Sequence, residues 1–261
     1  MDQNYIRSGL IISLSFVLLL SACASAPSIP TATPTRATTN TSEPTATSTS
    51  TPTITPSPTV TPDFTATQQY ADFLSMVQKY YEAGQISTTE GEYVVLDDYQ
   101  DELASKLAYA WTETGVSAKN FIVRADFEWS NAINTLNFSG CGFIYRMQSN
   151  KDHYVIILDA FNGVKLASHT DRGTYSMGPP QNGDKKISDF GPNPYHATFT
   201  LIVNELKTYA YIDDIYYGEY KLLDYRIIDS GPLAGAVLSA ASEGYGTRCK
   251  MTNVHAWVMD P

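Results

Sequence analysis

Cysteine, histidine and positive charge are all scarce in this chain. Of 261 residues, three are cysteine, four are histidine and 17% are charged. Three cysteines are too few for a multi-bridge scaffold or a cysteine-built zinc cluster. Lys and Arg number 17 against 27 Asp and Glu, which gives a net charge of -10. That balance excludes a general nucleic-acid binder, which needs a basic face against phosphate. It also excludes adhesion to anionic lipid through basic side chains. His153, His169, His196 and His255 are scattered, with no HxH or HExxH spacing. There is no Gly-x-Ser-x-Gly, P-loop or dinucleotide fingerprint.

What is present begins with an apolar run, Leu10 to Leu20, broken only by Ser13 and Ser15. It falls short of the roughly 20 residues that span a bilayer and has the length of a signal-peptide core. It runs into Leu20-Ser21-Ala22-Cys23, which resembles a bacterial lipobox. In that family the cysteine thiol is alkylated by diacylglycerol and the peptidase cuts just before it. The resemblance implies residues 1–22 as signal peptide and Cys23 as the lipidated N-terminus. The competing reading is a secretory signal cut after Ala24 or Ala26, with Cys23 incidental. Several acyl chains anchor a protein without any spanning helix.

Residues 23–62 are then almost entirely Thr, Pro and Ser, and hold eight of the 14 prolines. Such a segment buries too little apolar surface to offset its ordering entropy, so a disordered, extended tether is expected. Composition changes at Asp63: 17 of the 18 tyrosines and all three tryptophans follow it. Tyr70, Phe73, Leu74, Val77, Tyr80 and Tyr81 recur at three- and four-residue spacing. This predicts one amphipathic helix from Asp63 or Phe64 to Ala83, stopped by Gly84, with its stripe against a sheet. Residues 63–91 are helix and lead-in; residues 92–261 are the main domain.

Beyond Gly84 the period becomes two. In Phe121 to Trp129 the odd positions are Phe, Val, Ala, Phe and Trp, while Arg124, Asp126 and Glu128 share the wet face. Ten further short strands are predicted between 92 and 259, separated by turn signals such as Asn162-Gly163 and Asp213-Asp214. Many strands and little helix mean a mainly β sandwich or barrel. The strand Phe121–Trp129, the segment Ser139 to Arg146, the pair His153–Asp159 and Gly163–Leu166, and the closing Cys249 to Trp257 resemble a concanavalin A-like, or laminin-G-like, jelly roll. The likeness extends distantly to 3-keto-disaccharide hydrolase domains. It departs from them at Ser139-Gly140-Cys141-Gly142 and at His153 to Ile156, where that group carries other polar residues. The resemblance implies the architecture. Its members include lectins, other binding modules and glycosidases, so it implies no single chemistry.

Cys141 and Cys249 remain after lipidation. Outside the cytoplasm they are expected to pair, the alternative being two buried thiols. Retaining glycosidases need two carboxyls about 5 Å apart. Jelly-roll enzymes commonly supply them from one strand as Glu-x-Asp-x-x-Glu or Glu-x-Asp-x-Glu, and no such run occurs here. Asp126 and Glu128 share a face about 7 Å apart, which could suit two carboxyls, but a solvated sheet surface beside Arg124 is the more ordinary reading. Strand parity makes Arg124, Glu128 and Arg146 candidates for lining a ligand face. Asp171, Asn182, Asp184 and Asp189 lie in one polar stretch able to offer oxygens to calcium; no other cofactor is expected. The tyrosines of Tyr209-Ala210-Tyr211 and Tyr216 to Tyr220 are candidates for sugar stacking, about half of them turned inward.

The expectation is a lipid-anchored, extracytoplasmic module at a bacterial cell surface. Its domain is read as non-catalytic and as binding an extracellular glycan. A glycoside hydrolase of the same fold and a protein-interaction module are the alternatives. The anchor has a direct check: Cys23→Ser should abolish labelling by radioactive palmitate and leave the precursor uncleaved.

Overall fold

The computed structural model describes residues 64–133, 139–183 and 190–259. Cys23, the Thr/Pro tether, Asp184 and Asp189 lie outside them. Among the described residues one helix, α1 (Phe64–Glu82), precedes thirteen strands in two antiparallel sheets. The first sheet orders its strands β1 (Glu92–Val95), β13 (Thr247–Val258), β4 (Phe121–Asn131), β9 (Tyr195–Asn204), β10 (Lys207–Ile212) and β11 (Ile215–Lys221). In it β2 (Tyr99–Leu103) also pairs with β13. The second runs β3 (Ala108–Ala118), β12 (Gly231–Ser239), β5 (Gly140–Tyr145), β6 (His153–Asp159), β7 (Gly163–Thr170) and β8 (Gly173–Ser176). This is the expected jelly-roll sandwich. The strands β2 and β8 escape sequence reading, since Tyr-Gln-Asp-Glu-Leu and Gly-Thr-Tyr-Ser carry little apolar alternation.

The core lies between the sheets. The odd residues Phe121 to Trp129 of β4 face Cys141, Phe143 and Tyr145 of β5 and Tyr154, Ile156 and Leu158 of β6. Alternation holds in β4 but breaks in β13. There Cys249 and Met251 face the core, and so do Val254, Ala256 and Val258. A bulge between Thr252 and His255, with Asn253 at φ 52°, inserts the extra residue that reverses parity. The same interruption separates β1 from β2, which pair end to end along one edge of β13. Asp97 and Asp98 fall in the gap between them.

α1 lies on the outer face of the first sheet, as its stripe predicts. Phe73, Val77 and Tyr80 are buried against Ile122, Ile202, Tyr209, Tyr211 and Trp257, whereas Tyr70 and Tyr81 stay exposed. The helix ends in a Schellman turn. Gln85 N–H donates to Tyr80 O (3.0 Å) and Gly84 N–H to Tyr81 O (2.9 Å). Gly84 at φ 69° supplies the left-handed residue.

Two fastenings tie the sheets together. Cys141 of β5 and Cys249 of β13 form a disulfide across the core, with Cα atoms 5.3 Å apart and a sequence separation of 108. Arg146, just past β5, is fully buried. Its Nε and Nη2 donate to Lys119 O (3.0 and 2.8 Å), and Nη2 donates also to Glu205 O (2.6 Å). It thus holds together the β3–β4 and β9–β10 turns. Closing a loop this long in the unfolded chain is worth about 2–5 kcal/mol. The double variant Cys141→Ala with Cys249→Ala should lose stability of that order in urea unfolding, while the wild type shows the same drop on reduction.

Candidate functional site

The three residues chosen by strand parity do not gather. Arg146 was expected on an exposed face and is instead the buried fastening just described; the left-handed φ of 52° at its own position ends the alternation on which that expectation rested. Arg124 does emerge on the outer face of the first sheet, beside α1. Its guanidinium is taken by Asp214, with Nη1 on Oδ1 and Nη2 on Oδ2 (3.0 Å), and Nη1 also donates to Thr200 Oγ1 (3.1 Å). Asp214 reaches it from the two-residue β10–β11 turn, where Asp213 and Asp214 both have positive φ (50° and 65°). The hydrogen bond from Arg124 holds the Asp214 carboxyl below its ordinary range.

Two and four residues along, the same face carries Asp126 and Glu128. Asp126 is tied by Thr198 Oγ1 and Asn253 Nδ2, each 2.8 Å away. Glu128 is exposed, 4.0 Å from His196 Nδ1. It lines a groove of about 590 Å³ at the end of the sheet farther from the helix. This is the solvated face that parity predicted.

The tyrosine clusters are structural. Tyr209 and Tyr211 lie beneath α1, and Tyr217 and Tyr220 face the core. Of the calcium candidates, Asp171 is exposed and accepts from Arg226 Nη1 at 3.4 Å, and Asn182 Nδ2 donates to Glu219 at 3.2 Å. Among the described residues no three His, Cys, Asp or Glu side chains cluster as a metal would require.

Sequence reading passed over the outer face of the second sheet, which no described helix covers. Its floor is Ile144, Val155, Ile157, Ala234 and Ala236, all buried. Tyr109 and Trp111, two apart on the edge strand β3, pair with Leu238 and Ala236 and so share this face. His153 of β6 and His169 of β7 pair directly with each other. The four rings meet above the floor. Tyr109 lies 5.8 Å from Trp111, 5.7 Å from His153 and 5.8 Å from His169 between ring centres. Trp111 is 6.1 Å from His153, and the two histidines stack at 5.0 Å. Trp111 keeps 39% of its surface exposed, Tyr109 and His169 are half-buried, and His153 is sealed at 2%. The available signal was Tyr109 and Trp111 at period two, large rings on a strand otherwise made of small and polar residues.

The protonation pattern follows from the partners. His153 Nδ1 lies 2.6 Å from Lys151 O, which can only accept, so Nδ1 carries the proton. Nε2 is therefore the acceptor for the Tyr109 hydroxyl at 2.8 Å. Burial, then the neighbouring His169, lowers the His153 pKa, although Lys151 O and Asp152 oppose this. Burial also raises the Tyr109 hydroxyl to about 12. His153 and the Tyr109 hydroxyl are therefore neutral at physiological pH, with one donor direction locked. His169 Nδ1 meets Thr174 Oγ1 at 2.8 Å. Glu113 and Lys165 pair with Ala234 and Ile157 and put charges on the same face. The result is an aromatic centre with a polar rim.

Because the folded His153 pKa lies below the unfolded value near 6.5, the unfolded chain takes up a proton first as pH falls. Stability from this group is complete above that value and is lost on acidification. His255, lowered by its own burial, adds in the same direction. The melting temperature should therefore fall between pH 7.5 and 5.5. His153→Phe, which keeps a ring but cannot titrate, should flatten the fall. Equal slopes in thermal melts of the two proteins would remove His153 from this account.

No protein-family model matches the chain, and no curated protein matches its sequence. Solved structures with a similar chain path include the carbohydrate-binding module CBM66 from Bacillus subtilis. It is 12% identical, with a TM-score of 0.43 over 66% of this chain and 99% of that one. The carbohydrate recognition domain of Emp46p is 10% identical, with a TM-score of 0.38 over 70% of this chain and 92% of that one. Sheep galectin-11 is 8% identical, with a TM-score of 0.35 over 58% of this chain and 98% of that one. No residue's role follows from such distant likenesses.

Proposed function

We propose that the domain is a non-catalytic glycan-binding module held outside the cytoplasm by an acylated Cys23. The observation that carries the reading is the ring cluster Tyr109–Trp111–His153–His169, spread over a floor of small and aliphatic side chains with Trp111 outermost. A sugar ring has apolar C–H faces and hydroxyls around its edge. Ring faces accept the first, and planar or charged side chains at the rim accept the second. Tyr109 is pinned by His153, so the cluster is preorganised and little ordering entropy is lost on binding.

Hydrolysis is disfavoured by the carboxyls of this same face. Glu113 stands exposed. Asp159 is buried and accepts from Phe161 N–H (2.9 Å) and Asn162 N–H (3.2 Å) of its own turn. Among the described residues of this face, two free carboxyls placed to flank a sugar, as glycosidases need, do not stand together. In this reading Arg124 and Arg146 hold the frame and do not touch ligand. The acyl chains and the Thr/Pro segment serve to display the domain above the membrane.

The test is a glycan-array screen of the mature chain in mild detergent, with and without calcium. Binding without release of product is expected, and Trp111→Ala should weaken the strongest hits about tenfold, equivalent to roughly 1.4 kcal/mol. Trp111→Phe should restore part of it. No hit in either condition would turn the exposed ring surface toward a protein partner.

A further inference from the structure

We propose a second sugar-binding groove on the opposite outer face of the sandwich, so that one domain bridges two glycan chains. The inference rests on the glycan reading above but uses none of its residues. The groove holds about 590 Å³ and lies on the first sheet beyond the footprint of α1, which packs at the other end of that face. Its floor and walls include Gln100 of β2, Glu128 of β4, Arg248 and Lys250 of β13, Asn193 and Tyr245.

Cross-strand register makes this a built surface. Lys250 is directly opposite Glu128 on one side and Gln100 on the other, so an ammonium, a carboxylate and an amide stand in one row. The exposed amide and ammonium of that row have no hydrogen-bond or ion-pair partner among the described residues and are free to meet a ligand. Tyr245 forms an aromatic wall. The Arg248 guanidinium lies 4.1 Å from its ring centre and donates from Nε to Glu102 Oε2 at 2.6 Å, which holds both in place. Asn193 is anchored by its Nδ2, which donates to Asn131 O at 2.7 Å.

The chemistry selects the ligand class. The lining carries Asp101, Glu102 and Glu128 against Arg248 and Lys250, so the groove has no net cation with which to capture an anion. It offers acceptors and donors alternating beside an aromatic ring backed by a guanidinium. A neutral, polyhydroxylated chain, such as a hexose polymer, matches that pattern. An acidic polysaccharide does not. With one site on each outer face and the core between them, two chains can bind without meeting.

The experiment is native affinity electrophoresis of the full mature chain in gels containing neutral polysaccharides: starch, β-1,3-glucan, β-1,4-glucan and β-1,4-mannan. Turbidity of the same polysaccharides is measured in solution. Four proteins are compared: wild type, Trp111→Ala, the double variant Glu128→Gln with Lys250→Ala, and all three changes combined. All the changes are exposed, and thermal melts check that folding is kept. At least one polysaccharide should retard both partial variants less than wild type, leave the triple variant unretarded, and turn turbid with wild type alone. If the double variant is retarded and cross-links as wild type does with every polysaccharide, the groove is overturned and the ring cluster stands. If Trp111→Ala behaves as wild type while the double variant loses binding, the groove stands and the ring cluster falls. No retardation of wild type in any gel overturns both.

Discussion

A sandwich buries one face of each of its two sheets and leaves the other two faces to be dealt with separately. Here the inner faces are closed by alternating apolar residues, by the Cys141–Cys249 bridge and by Arg146 at one end. Everything else follows from how the outer faces are managed. One end of the first is covered by α1, because Phe73, Val77 and Tyr80 need apolar partners and find Ile122, Ile202 and Trp257. The other end is charged and open to water. The second sheet has no such helix among the described residues, and its apolar outer residues are screened by four rings of its own strands. A ring cluster that shields a sheet face while remaining partly exposed is a surface suited to another molecule.

The buried arginine shows how costly polar groups can be made useful. Its guanidinium is removed from water yet meets the backbone carbonyls of two turns. Lys119 and Glu205, from those same turns, close over them as an ion pair of 2.9 Å. The end of the sandwich is thus held by charge and hydrogen bonds where strand pairing has run out.

Much of the fold was legible because period two and period 3.6 are strong local signals. Helix α1, its glycine stop and β4 could be read within a residue or two, and Asp213-Asp214 is the turn it promised to be. The breaks in parity share one physical cause. Parity assumes an unbroken strand, and a single residue in the left-handed region cancels it. At Asn253 this turns both Met251 and Val254 inward. At Arg146 it sends an expected surface cation into the interior. The ring cluster was hidden for a different reason: its members come from β3, β6 and β7, and β3 joins the others only through β12 and β5.

By itself, the sequence determined the local and compositional facts. These are an apolar run that ends at a cysteine, a Thr/Pro segment, one amphipathic helix, alternating strands, and two further cysteines. Each depends on neighbours within a few residues, where stereochemistry and hydrophobic periodicity act directly. Only the tertiary structure decided which sheet α1 covers, which cations remain free and which rings meet. Those outcomes depend on strand order and on bulges that shift register, and both are set by contacts between residues far apart in the chain.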